Sequence, residues 1–258
     1  MNEIIIDKTN LKSGIYFLSE IDNTFESIYI AVRENEKRVY SDKEVKLLPN
    51  TSSSNPHKEE WKIRKRSLQR FTNYIQKFND KLNLLDVGSG NGWFSANIAN
   101  RSFIDIYALD VNKFELEQAV RVFNYQNIIF IYGNIFDNIF EEQSYDIITL
   151  NSSIQYFDDL NKLIKRLSYF LTDEGEIHII DSPIYNQNEL AGAKERTARY
   201  YISNGFPEMA KHYYHHSFYA LKDFNYKMLY NPKAVQNNFK KIFGFKDSPF
   251  PWIKIVKR

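Results

Sequence analysis

Between residues 82 and 180 the chain alternates short apolar runs with amphipathic stretches, the pattern of strands joined through helices. Residues 82–87, 104–110, 128–132, 145–150 and 176–180 are expected as five buried strands. Helices are expected over 92–100, 113–124 and 158–171; in the second, Phe114, Leu116, Ala119, Val120 and Phe123 fall on the inward face. Residues 252–256 close the chain as a last strand. This order predicts an α/β fold with a doubly wound, mostly parallel sheet.

The flanks are less regular. Residues 58–78 carry Trp61, Ile63, Leu68, Phe71, Ile75 and Phe78 at mostly helical spacing, with Lys62, Arg64, Lys65, Arg66 and Arg70 between them. The polar, proline-bounded segment 48–56 is expected as a connecting loop. Residues 1–50 then form a small β-rich N-terminal segment, with strands over 15–18 and 27–33, and 58–258 form the main domain. After Pro183 the periodicity lapses, and the Tyr- and His-rich residues 183–231 are expected as a lid inserted after the fifth strand.

The first strand runs straight into Gly88-Ser89-Gly90-Asn91-Gly92 and a helix start at Trp93. Glycines at alternate positions allow a tight turn without Cβ clashes, and the free N–H groups of the next helix face it, so a polar or negatively charged ligand fits there. Trp93 stands where a dinucleotide fingerprint has its third glycine, which argues against NAD. Asn91-Gly92-Trp93 lacks the lysine and hydroxyl of a phosphate loop, which argues against ATP.

Residues 84–94 closely resemble motif I of the class I S-adenosylmethionine-dependent methyltransferases, in which a hydrophobic strand is followed by an acid and three alternate glycines. The resemblance implies a Rossmann-like sheet of seven strands, S-adenosyl-L-methionine as cofactor and S-adenosyl-L-homocysteine as product. It also implies that the loop Gly88, Ser89, Gly90, Asn91 and Gly92 wraps the methionyl part, with Asp86 helping to fix its amino group. Ligands of doubly wound sheets bind beyond the carboxyl ends of the strands. Asp110, followed by Val111, ends the second strand, where a carboxylate can accept from both ribose hydroxyls or cap the helix that follows. Asn134 and Ile135 resemble the family's adenine-binding segment, with Asn134 in place of the usual aspartate; a polar turn is the other reading. Asn151 and Ser152 fall on the cofactor side of the segment after the fourth strand, and Gln155 and Tyr156 on the adenosine or acceptor side.

Methyl transfer from a sulfonium is an in-line displacement that needs alignment and exclusion of water more than a strong catalytic apparatus. Where a base is required, Asp181, just after the fifth strand, is best placed by topology, and His215 or His216 is the alternative. Additions after the fifth strand often shape the acceptor pocket in this family, so Tyr185, Arg196, Arg199 and Tyr200 are the substrate-binding candidates, the arginine face suiting an acidic group. His212 and His216 lie four apart, but no Glu follows the first as in zinc proteases, and no metal is expected.

Charge and composition narrow the partners. The 34 Lys and Arg against 32 Asp and Glu leave +2, too little to draw the whole protein to nucleic acid or an acidic membrane. The basic residues of 58–78 are expected as a solvated face; RNA contact, or one arginine reaching the cofactor carboxylate, is the alternative. With no cysteine, disulfides, thiolate nucleophiles and cysteine-bound zinc are excluded. No run of about 18 apolar residues occurs, and the apolar stretch at 4–6 is too short for a signal sequence, so a cytoplasmic location is expected. The function expected is O- or N-methylation of a small-molecule acceptor. The alternatives are an RNA or protein methyltransferase, or a non-catalytic cofactor-binding protein of the same fold.

Overall fold

The protein, seen in a computed structural model, is described for residues 7–100, 103–234 and 246–257. It opens with β1 (Leu11–Lys12), β2 (Ile15–Phe17), α1 (Asn23–Asn35), α2 (Asp42–Leu47) and α3 (Lys58–Ile75). Then come β3 (Leu82–Val87), α4 (Trp93–Ala99), β4 (Ile104–Asp110), α5 (Lys113–Val122), β5 (Ile128–Tyr132), β6 (Tyr145–Asn151), α6 (Leu160–Phe170) and β7 (Leu171–Ile180). The remainder holds β8 (Ile184–Tyr185), α7 (Leu190–Ser203), β9 (His216–Ser217), β10 (Asn225–Tyr230) and β11 (Trp252–Val256). No helix among the described residues is long and apolar enough to cross a membrane.

The central sheet has nine strands in the order β1-β2-β5-β4-β3-β6-β7-β11-β10. From β2 to β7 every pairing is parallel, whereas β1, β11 and β10 pair antiparallel. Strands apolar on both sides need cover on both faces. Leu84 accordingly joins Phe71 and Ile75 of α3 and Phe94 and Ile98 of α4, while Leu85 joins Leu163, Ile164 and Leu167 of α6 on the other face. The side chains of Asn112 and Asp159 start α5 and α6 by accepting from the backbone N–H groups of Glu115 and Lys162.

Three expectations are corrected. The sheet has nine strands rather than seven, because β2 pairs with β5 from Ile15 opposite Phe130 to Phe17 opposite Tyr132, and β1 adds to β2. The strand expected over 27–33 lies within α1. Asp22 caps it by accepting from the Thr24 N–H at 2.9 Å, and Phe25, Ile28, Tyr29 and Val32 pack on Tyr201, Met209 and Tyr213. Its β-branched residues favour a strand locally, but burial of that helical face decides otherwise. Lastly, residues 225–230 belong to the sheet as β10 and not to a lid.

Candidate active site

Because β3, β4, β5 and β6 run parallel, their C-terminal ends share one edge, and the segments leaving them border a cavity of about 610 Å³. A smaller chamber of about 100 Å³ shares Tyr29, Gly88, Gly90, Glu115 and Ser152 with it. Gly88 and Gly90 hold φ of +76° and +55°. A Cβ on Gly88 would lie 2.5 Å from Ser153 Cβ, which excludes a side chain there, while at Gly90, beside the Glu115 carboxylate, the positive φ disfavours one. Gly92 caps α4 and faces Phe130 rather than either chamber. Ser152 and Asp181, at the ends of β6 and β7, also hold positive φ, a strained conformation that clusters at functional sites.

Asp110 ties the turn to α5: Oδ2 accepts from the Gly90 N–H at 2.6 Å and Oδ1 from the Asn112 N–H at 2.7 Å. Burial pushes its pKa up to about 6 against those hydrogen bonds. Glu115, in the first turn of α5, is pushed up to about 7 by burial and by the Asp110 charge, with Arg33 opposing. Asp86 borders the small chamber, yet both its oxygens are engaged, by the Ser95 hydroxyl at 2.7 Å and the Thr149 hydroxyl at 2.8 Å. Burial raises its pKa to about 6.

Ser89, Asn91 and Asn151 also border the small chamber, and Ser89 Oγ and Asn151 Oδ1 are buried without a hydrogen-bond partner among the described residues. Each such atom costs about 1–3 kcal/mol, which a ligand bearing an ammonium group would relieve. Arg33, Arg38 and Arg64 line the same chamber. Arg38 forks onto Glu60 at 2.6 and 3.1 Å, Arg64 donates to Glu60 at 2.9 Å and Arg33 to Glu36 at 3.4 Å. Three guanidinium groups sharing two glutamates keep N–H donors for a carboxylate.

In the large cavity the structure brings Asp110, Val111, Asn134, Ile135, Ser152 and Tyr156 together. Asn134 also shapes its turn, with Oδ1 accepting from the Phe136 N–H at 3.0 Å. Gln155 lies outside both chambers: its amide donates to the Ser152 carbonyl at 2.6 Å.

The acceptor-side candidates mostly lie away from the two chambers. Asp181 borders neither chamber; its Oδ1 accepts from Ser67 at 2.7 Å and Ser248 at 2.8 Å, joining β7 to α3 and to the segment before β11. His215 bonds Thr197 at 2.9 Å, with its ring between Tyr185 and Tyr213, and His216 bonds the Ile154 carbonyl at 2.9 Å; neither ring lines the cavity. Tyr185 packs on His215, Tyr200 donates to Glu36 at 2.7 Å, and Arg196 and Arg199 are exposed on α7, Arg199 pairing with Glu195. The histidine that lines the cavity is His212.

What the sequence reading missed is the wall supplied by the N-terminal segment: Ser19, Glu20, Asp22, Phe25 and Tyr29, with Glu115 on α5. Phe25, Tyr29 and Arg33 recur at every fourth residue, a helical face that could have been found once 23–35 was read with that period. Phe25, Tyr29 and Tyr156 form a mutual aromatic triad with centroids 5.6–5.7 Å apart. Glu26 holds α1 in place by accepting from the Lys113 and Phe114 N–H groups at the start of α5.

Residues 78–246 match the family described as Methyltransferase domain. Over 117 residues the chain is 31% identical to malonyl-[acyl-carrier protein] O-methyltransferase 1 of Ilyobacter polytropus, covering 44% of this chain and 42% of that protein. The chain thus spans about two fifths of the length of the curated relatives it matches. Its fold is similar to that of the YcgJ protein from Bacillus subtilis, at 14% identity and a TM-score of 0.54 over 75% of this chain and 98% of that one. It is also similar to geranyl diphosphate C-methyltransferase from Streptomyces coelicolor, solved with S-adenosyl-L-homocysteine, at 13% identity and a TM-score of 0.53 over 79% and 81%.

Proposed function

We propose that this chain, which belongs to the methyltransferase-domain family, is an S-adenosylmethionine-dependent methyltransferase whose acceptor is a small molecule received in the large cavity. S-Adenosylmethionine, when bound, supplies a methyl group on a positively charged sulfur, so the protein's task is to align the acceptor and keep water out. In this reading Asp110 accepts the ribose hydroxyls, Val111 and Ile135 flank the adenine, and Asn134 meets its amino group. Ser89 and Asn151 take the methionyl ammonium with Asp86 behind them, and Arg64, with Arg33 and Arg38, takes the carboxylate. The orphaned Ser89 and Asn151 oxygens and the turn that admits no Cβ at Gly88 support this fit.

The observation that carries the small-molecule reading is the aromatic wall. Phe25, Tyr29 and Tyr156 interlock, and with His212 they line one side of the cavity that also holds the adenosine-side residues. The curated relatives are named for O-methylation of malonyl-[acyl-carrier protein], a small acyl group borne on a protein, so the cavity and not the relatives carries this reading. Incubation with methyl-labelled cofactor and fractionated metabolites, RNA and protein tests this: label in the low-mass fraction is expected, and label confined to RNA or protein overturns it. Asp110→Ala is expected to lower S-adenosylhomocysteine affinity at least tenfold in calorimetry; unchanged affinity would remove Asp110 from the cofactor site.

A further inference from the structure

Charge is divided between the two chambers. Among the described residues the large cavity is lined by the carboxylates Glu20, Asp22, Asp110, Glu115 and Asp137 and by no lysine or arginine, whereas Arg33, Arg38 and Arg64 all border the small chamber. Some of the acids are already occupied: Asp22 caps α1, and Asp110 holds the N–H groups of Gly90 and Asn112. Glu115 differs from both. Asn112 fixes its backbone N–H at 2.9 Å, yet its carboxylate makes no hydrogen bond or ion pair among the described residues, and it borders both chambers beside Gly90 and Tyr29.

Resting on the small-molecule reading above, we propose that the acceptor is an amine that enters the large cavity as a cation, and that the Glu115 carboxylate takes the proton its nitrogen must lose. The ammonium R–NH3+ passes one N–H proton to Glu115, and the freed lone pair forms the new N–CH3 bond as the C–S bond breaks. The electron pair of that bond stays on sulfur, which becomes a neutral thioether. The product leaves as a methylammonium ion, and the proton passes from Glu115 to water.

The surroundings suit such a guest. The rings of Phe25, Tyr29 and Tyr156 line the cavity and aromatic rings attract cations, as Arg33 over the Tyr29 ring at 4.8 Å illustrates, and the acids attract one further. A carboxylate acceptor would instead meet Asp110 and Glu115 as like charges, which selects against it, so the proposed acceptor differs from the malonyl group for which the curated relatives are named. The groups that face Glu115 are Asp110 at the end of β4 and Glu26, Tyr29 and Arg33 of α1. Burial among them lifts its pKa to about 7, where a carboxylate can accept and release a proton near neutrality.

The test is calorimetry on the protein saturated with S-adenosylhomocysteine, using paired probes of equal size: butylamine against butyrate, and phenethylamine against 3-phenylpropionate. At pH 7 at least one amine is expected to bind at least tenfold more tightly than its paired carboxylate. Glu115→Gln, which keeps the side-chain size, should lower that affinity at least tenfold and remove the limb near pH 7 from the kcat profile of amine methylation. Carboxylates binding as well as amines, no amine binding, or amine affinity untouched by Glu115→Gln each overturn the proposal. The probe pairs on the unaltered protein decide the matter even if the variant fails to fold. Methyl label found in an alcohol or a carboxylic acid would overturn the amine assignment alone, whereas label confined to RNA or protein would overturn the small-molecule reading beneath it.

Discussion

Asp110 and Glu115 are carboxylates whose surroundings hold protons more tightly than water does, and each gives that shift a measurable consequence. In the proposed role the ionised Asp110 accepts ribose hydroxyls. With its pKa at about 6, acidification from pH 7 to pH 5 should cost about tenfold in S-adenosylhomocysteine affinity by calorimetry, and Asp110→Asn should flatten that dependence. Glu115 titrates near 7 in the fold against an ordinary 4.5, so the native state binds more protons than the unfolded chain between those values. Stability from this group is therefore full below about pH 4 and is lost as pH rises through 7. Glu115→Gln should leave Tm unchanged at pH 4 and raise it by roughly 7–13 °C at pH 8, read by thermal unfolding of the ligand-free protein. Asp181 shows the limit of reading single residues. Its place at a strand end follows from the hydrophobic pattern, but the Ser67 and Ser248 hydroxyls hold its carboxylate away from the cavity, and neither is near it in sequence.

At the scale of elements, α1 is the piece that the chain's pattern concealed and the site depends on. Ile28, Ile30 and Val32 favour a strand, yet the four-residue recurrence of Phe25, Tyr29 and Arg33 belongs to a helix, and burial against Met209 and Tyr201 selects it. Glu26 then places a negative charge on the first N–H groups of α5, satisfying donors that the helix itself cannot. Glu26→Ala should cost about 0.5–2 kcal/mol by denaturant unfolding, and should weaken S-adenosylhomocysteine binding because Tyr29 loses its anchorage. An unchanged dissociation constant would mean that α1 is not part of the binding wall. By contrast, the helices over 113–124 and 158–171 were legible to within a few residues, because apolar spacing and the side-chain caps Asn112 and Asp159 coincide there.

At the scale of the whole molecule, both chambers and α1 open toward one edge of the sheet, so a bound ligand should stabilise residues distant in sequence together. S-Adenosylhomocysteine at a hundred times its dissociation constant should add about 2.7 kcal/mol, and hydrogen exchange should slow in α1 and at the start of α5 as well as in the glycine turn. Slowing confined to the turn would show that α1 does not close on the ligand. The parallel core strands, the glycine turn and the strand-end positions of Asp110, Asn134 and Asn151 were determined by the sequence itself, because they rest on continuous apolar runs and on local backbone demands such as a left-handed φ at Gly88 and Gly90. The tertiary structure alone decided which side chains share a cavity. It set Glu115, Tyr29 and His212 around the large cavity and sent Asp181, His215 and His216 elsewhere, because side-chain direction at a loop or helix end depends on partners many residues away that only folding brings near.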